Sequence, residues 1–141
     1  MKNGYKCTVC KFSLWYPICE LTVSYLGLYN DSRFPGRCIL VLKNHAESFS
    51  DLDTDLAQAF VMEARSAARA IKIATGAPRV NFAILGNTQP HIHCHLIPRG
   101  FPGDPIPTRT PWEHPTKKSE LPIREQERLV ARLNELVLKT K

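Results

Sequence analysis

Between Gly86 and Gly100 the sequence reads GNTQPHIHCHLIPRG, with histidines at 91, 93 and 95. Alternate side chains of a strand share a face, so a strand here would align three imidazoles and turn Ile92, Cys94 and Leu96 the other way. Three chemistries suit such a row. Neutral imidazole ligates zinc, copper or iron. The outer two rings, however, stand roughly 13 Å apart at about 3.3 Å per residue, which strains one metal held by all three. Imidazole also attacks phosphorus near neutral pH without a separate base, leaving a phosphoramidate that water later cleaves. One ring would attack, its second nitrogen held protonated by an acceptor such as a backbone carbonyl. The flanking rings would donate to phosphate oxygens as charge develops. The third possibility is a set of histidines simply hydrogen-bonded on a polar sheet face. An apolar residue at every intervening site argues against it.

The surrounding pattern must place those rings. ELTVSYLGLYN is rich in β-branched and aromatic residues and reads as a strand; NDSRFPGR is a run of turn formers, and CILVLKN reads as a second, more buried strand, the two making a hairpin. DLDTDLAQAFVMEARSAARAIKIATG predicts a long helix, capped by Asp53 or Thr54 and stopped by Gly76. Its apolar stripe is Leu56, Phe60, Ala64, Ala67 and Ile71. RVNFAIL and HIHCHLI then predict a second hairpin across GNTQP. Residues 98–122 are proline-rich and irregular, because proline cannot donate to a ladder, and long connections of this kind are often functional. Residues 123–139 read as a C-terminal helix with Ile123, Leu129, Leu133, Leu136 and Val137 towards the core. The order predicts one α+β domain over residues 1–141, with two principal helices against a mainly antiparallel sheet.

HIHCHLI resembles, at every position, the signature of the histidine triad (HIT) superfamily of nucleotide hydrolases and transferases. FPGRCILVLKNH is similar to that family's Pro-Gly-His/Arg strand, and LGN…PHIHCHLIPR to a bacterial branch described as diadenosine polyphosphate hydrolase-like. The resemblance spans about residues 5 to 100. It implies that His93 is the nucleophile on a nucleotide's α-phosphate, that His95 contacts phosphate, and that His91 orders the network. Thr88 falls where the family has Ser or Thr near the leaving group, and Asn87 where many members carry Gln. Asn30 resembles a ribose-binding Asn or Asp, Arg37 follows Pro-Gly where many members have His, and Arg99 is placed to steer a polyphosphate. The implied activity is nucleotide hydrolysis through a nucleotidyl-histidine, with no cofactor for the chemistry. Transfer to phosphate or another acceptor, and a non-enzymatic nucleotide sensor, are the alternatives. The resemblance also implies a homodimer with a sheet continuous across two subunits.

The rest of the composition is compatible. The 141 residues are 43% hydrophobic and 23% charged, ordinary for a globular domain. No apolar run reaches the roughly 20 residues of a membrane span. The N-terminal MKNGYKCTVCKF has no leader pattern, so a cytoplasmic location is expected. The net charge of +6, concentrated late in the chain, suits either an anionic partner such as a nucleotide or a solvated last helix. No nucleic-acid-binding element is evident. Five cysteines, an odd number, do not form a disulfide framework. CTVC is the close pair, suggesting a metal or redox role. Some relatives of the triad proteins hold a structural zinc, and by that resemblance its ligands here would be Cys7, Cys10, His45 and His91. The alternative is two ordinary thiols and a surface histidine. Cys19, Cys38 and Cys94 read as core residues.

Overall fold

The computed structural model describes residues 5–140. Residues 1–4, the start of the stretch read for a leader, and Lys141 of the basic tail lie outside them. Five strands, β1 (Pro17–Glu20), β2 (Ser24–Leu28), β3 (Cys38–Leu42), β4 (Arg79–Ala83) and β5 (His93–Arg99), form one antiparallel sheet in the order β1-β2-β3-β5-β4. Two helices, α1 (Thr54–Thr75) and α2 (Ile123–Thr140), pack on each other and on one sheet face. Neither is long and apolar enough to cross a membrane.

Helix α1 starts and stops where its sequence says. Asp53 accepts from the Leu56 amide at 2.9 Å, and Gly76 takes a left-handed φ of 73° that a side chain would oppose. Phe60, Ala64, Ala67 and Ile71 are buried along one stripe. They meet Leu26, Leu40, Cys94 and Leu96 of the sheet and Leu129, Leu133 and Val137 of α2. Ile123 is the exception. At the first turn of α2 it lies beyond the packed stripe and is 64% exposed.

The stretch read as one strand, ELTVSYLGLYN, contributes chiefly to β2, and a separate strand, β1, precedes it. The break is made by Glu63 of α1, whose carboxylate accepts from the amides of Thr22 and Val23 and from Ser24 Oγ. A distant carboxylate thus satisfies backbone donors that a continuing strand would have paired.

The opposite sheet face carries a second apolar cluster. Phe12, Leu14 and Cys7 of the N-terminal segment cover Ile39 and Val41 of β3. A Cβ at Gly27 would collide with the Leu14 side chain, so the missing side chain is what lets this segment lie down. The segment from Gly100 to Pro122 is held at both ends. Near its start, Arg99 binds Asp104 and Asn81. Near its end, the Leu121 amide donates to Asn30 Oδ1 at 2.8 Å and the Ser32 amide to the Ser119 carbonyl.

Candidate active site

Alternation along β5 decides which residues do what. Cys94 and Leu96 enter the helix-side core, and His93 and His95 take the other face beside Val41 and Ile39 of β3. They open into a cleft of about 1010 Å³. Its walls come from regions distant in sequence: Phe12 and Trp15 near the N-terminus, Tyr29 and Asn30 after β2, the Gly86–Gln89 loop, and Trp112 and Lys118 of the proline-rich segment.

The aligned row of three imidazoles is corrected at its first member. Strand β5 begins at His93, because the Ile92 amide bonds to the Ala46 carbonyl outside the ladder. His91 is fully buried and is not a wall of the cleft. Its Nε2 donates to the Leu42 carbonyl at 2.7 Å, and its Nδ1 faces Cys10 Sγ at 3.4 Å. Its own carbonyl accepts from His93 Nδ1 at 2.7 Å. That bond puts the His93 proton on Nδ1 and leaves the Nε2 lone pair free. Burial holds the ring below its ordinary pKa, against the pull of the His91 carbonyl. His93 is therefore a neutral imidazole with one bare nitrogen, the form that attacks phosphorus.

His95 takes the opposite tautomer. Arg37 Nη2 donates to its Nδ1 at 3.1 Å, so its proton sits on Nε2 as a donor. Burial first, then the Arg37 charge and the neighbouring His93, push its pKa down to about 3. The two ring centroids are 5.2 Å apart. One bare and one protonated Nε2 thus stand on neighbouring rings.

Arg37 is 5% exposed and reaches the cleft only through His95. Its guanidinium lies 3.9 Å over the Tyr29 ring and pairs with Asp31 at 2.9 Å. Burial would raise the Asp31 carboxyl, but hydrogen bonds from Arg33 and the charges of Arg33 and Arg37 keep it below the usual range. Asn30 lines the cleft, is 8% exposed, and has its Nδ2 buried with no protein partner. Asn87 and Thr88 lie on the exposed loop at the cleft rim. Arg99 is 1% exposed, engaged by Asp104, Asn81 and the Ile106 carbonyl, and lines a second groove rather than the triad cleft.

Sequence reasoning missed several cleft residues. Gln89 lines it, and its carbonyl accepts from the His91 amide. Tyr29, Trp15 and Lys118 line it too. Tyr29 had a signal, standing next to Asn30 at a strand end. Lys118 had none, because only the return of the proline-rich segment brings it there. Trp112 is 55% exposed, with its ring 6.3 Å from that of His95, and forms a wall of the cleft.

Behind the cleft, the ligand atoms of Cys7, Cys10, His45 and His91 lie within 4.8 Å of one another. Cys7 to Lys11 forms a tight turn, with Lys11 at a φ of 67° and its amide on the Cys7 carbonyl. The Cys10 amide, above all, and the Val9 amide hold the Cys7 thiol down to about 5 against the effect of burial. Two thiolates and two imidazoles, one imidazole oriented by a backbone carbonyl, fit a closed tetrahedral metal centre.

A model described as the HIT domain matches residues 18–101. No curated protein sequence matches the chain. Among solved structures, a histidine triad protein from Sinorhizobium meliloti 1021 is similar, with a TM-score of 0.76 and 30% identity over 85% of this chain and 87% of that one. A Zn-bound histidine triad family protein from Mycobacterium smegmatis shares the fold, with a TM-score of 0.64 and 18% identity over 89% and 87%. So does a diadenosine triphosphate hydrolase from Plasmodium falciparum in complex with cyclomarin A, with a TM-score of 0.70 and 15% identity over 99% and 87%.

Proposed function

The chain belongs to the HIT domain family, whose model spans residues 18–101, and on that premise we propose that it is a nucleotide hydrolase working through a nucleotidyl-histidine on His93. The observation that carries this reading is the pair of opposed tautomers. His93 Nδ1 is held by the His91 carbonyl, and His95 Nδ1 by Arg37.

The Nε2 lone pair of His93 forms a bond to the α-phosphorus, and the phosphorus–oxygen bond to the leaving group breaks in line with it. The leaving phosphate departs with the electron pair. His93 keeps its Nδ1 proton, and the positive charge that develops on the ring is stabilised by the His91 carbonyl. His95 Nε2–H donates to an oxygen of the pentacovalent phosphorus. Water then attacks, the nitrogen–phosphorus bond breaks, and a nucleoside monophosphate and one proton are released. In a phosphoramidate the leaving nitrogen takes up a proton instead.

Asn30 Nδ2, buried at the cleft without a protein acceptor, suits a ribose hydroxyl. Lys11 and Lys118 on the walls suit an anionic substrate, and the diadenosine polyphosphates are the class we assign. The shared fold with a diadenosine triphosphate hydrolase supports that choice. We also propose a structural zinc at Cys7, Cys10, His45 and His91. Bound there it would supply a cross-link with no open coordination position. His91 joins this centre to the cleft through its own backbone.

Incubation with diadenosine tetraphosphate in oxygen-18 water, followed by mass analysis, tests the reading. Labelled AMP with unlabelled ATP, and a transient adenylyl adduct absent from His93→Ala, is expected. ADP formed only with added phosphate would show a phosphorylase instead. Wild-type turnover by His93→Ala would overturn the mechanism.

A further inference from the structure

Strand β4 carries a second groove, of about 690 Å³, that the chemistry above does not use. It shares one wall, Trp112, with the triad cleft. The register says which way it runs. On β4, Ala83 pairs with His95, Asn81 with Ile97 and Arg79 with Arg99. Paired residues share a sheet face, so Ala83, Asn81 and Arg79 point to the same side as His95. The row leads away from the triad for roughly 13 Å, at about 3.3 Å per residue. Ala83, small, stands at the triad end of the groove, and Arg79 at the far end.

The lining is cationic and polar. Arg79 is exposed, with Nη2 tethered to the Pro107 carbonyl at 2.9 Å, which aims the guanidinium without neutralising it. Arg109 is exposed and meets Glu113 only at 3.9 Å, while that carboxylate is already bound by the Thr110 amide at 3.0 Å. The other buried charges here, Arg99 and Asp104, satisfy each other. Trp112 is presented rather than packed. It follows the buried Pro111 in a short 3₁₀ turn closed by reciprocal Thr110–Glu113 capping.

Resting on the hydrolase reading, we infer that this groove is the distal subsite for the leaving group, and that it selects a polyphosphate bearing a second nucleoside. Arg79 and Arg109 contact the distal phosphates, and Trp112 offers an aromatic face at the junction of the two clefts. Long anionic substrates then gain contacts that a nucleoside monophosphate cannot reach.

The test is the ratio of affinities for diadenosine tetraphosphate and AMP, measured by calorimetry in a His93→Ala background so that neither ligand is consumed. We expect the dinucleotide to bind at least about tenfold tighter than AMP, as one or two charge-assisted contacts provide. Arg79→Gln with Arg109→Gln should bring the ratio close to one, and Arg79→Lys with Arg109→Lys should retain most of it. Both arginines are exposed, so circular dichroism should show an unchanged fold. A preference that survives the double Gln variant, or none in the starting protein, overturns the subsite. Turnover by the unsubstituted protein is read separately. Its absence with intact preference would refute the hydrolase reading while supporting the groove as a polyphosphate-binding site.

Discussion

The carbonyl oxygen of His91 lies 2.7 Å from Nδ1 of His93, while the His91 ring points away, its Nδ1 3.4 Å from Cys10 Sγ. One residue therefore orients the His93 ring through its backbone and meets the cysteine–histidine cluster through its side chain. The cleft and the cluster are adjacent parts of one segment, so loosening either disturbs the other.

Metal content follows from this adjacency. The isolated protein should carry about one zinc per chain by elemental mass spectrometry, and Cys10→Ser or His45→Ala should lose it. Neither is a wall of the cleft. Loss of the cross-link should lower stability by about 2 kcal/mol or more, a fall of roughly 5 °C in Tm. Full retention of zinc by both variants would exclude this ligand set.

Arg37 sets the state of His95. Its charge favours the neutral ring, after burial, and the His95 pKa stands at about 3 instead of 6.5. The unfolded chain takes up a proton below about pH 6.5 that the folded chain refuses, so this group costs stability as pH falls from there towards 3. Arg37→Met should raise the His95 midpoint, seen by NMR of labelled histidine, and make stability less sensitive to acid over that window. An unmoved midpoint would mean that burial alone controls the ring.

Arg99 should behave as a structural residue. Its partner Asp104 has a fully buried side chain. Arg99→Met leaves that carboxylate without a counter-charge, held only by the Gly100 and Ile106 amides, and should destabilise by about 3 kcal/mol. For the fraction that stays folded, affinity for AMP should change by less than about threefold, because the side chain lines the second groove and not the triad cleft. A clear loss of AMP affinity with unchanged unfolding behaviour would give Arg99 a direct role at the triad.

Strand β4 is an edge, and Phe82 on it is 51% exposed, followed by exposed Ile84 and Leu85. An apolar edge of this kind invites pairing with a second chain. We propose a homodimer through it, which light scattering should detect as a mass of twice 16.0 kDa. Phe82→Lys should shift the population towards monomer. A monomeric parent protein at micromolar concentration would remove the proposal.

Much of this was local and hence readable. The caps and stripe of α1 are set by residues within a few turns of one another, so Asp53, Gly76 and Phe60 announce them. The alternation of His93 and His95 with Cys94 and Leu96 is likewise a property of one short strand. The break between β1 and β2 was not readable, because its cause, Glu63, lies about forty residues away. Arg99 was readable only in part. A basic residue closing a triad strand suggests phosphate, but its partners Asn81 and Asp104 are brought to it only by the fold.

By itself, then, the sequence determined the element types, the antiparallel α+β arrangement and the alternation that puts His93 and His95 on one face, since periodicity and residue chemistry act over short range. Tertiary structure alone decided that His91 turns inward, that Arg37 assigns the His95 proton, and that Trp112 divides two clefts. Each of these depends on hydrogen bonds or packing between segments far apart in the chain. Such contacts form only when the burial of both sheet faces brings the segments together.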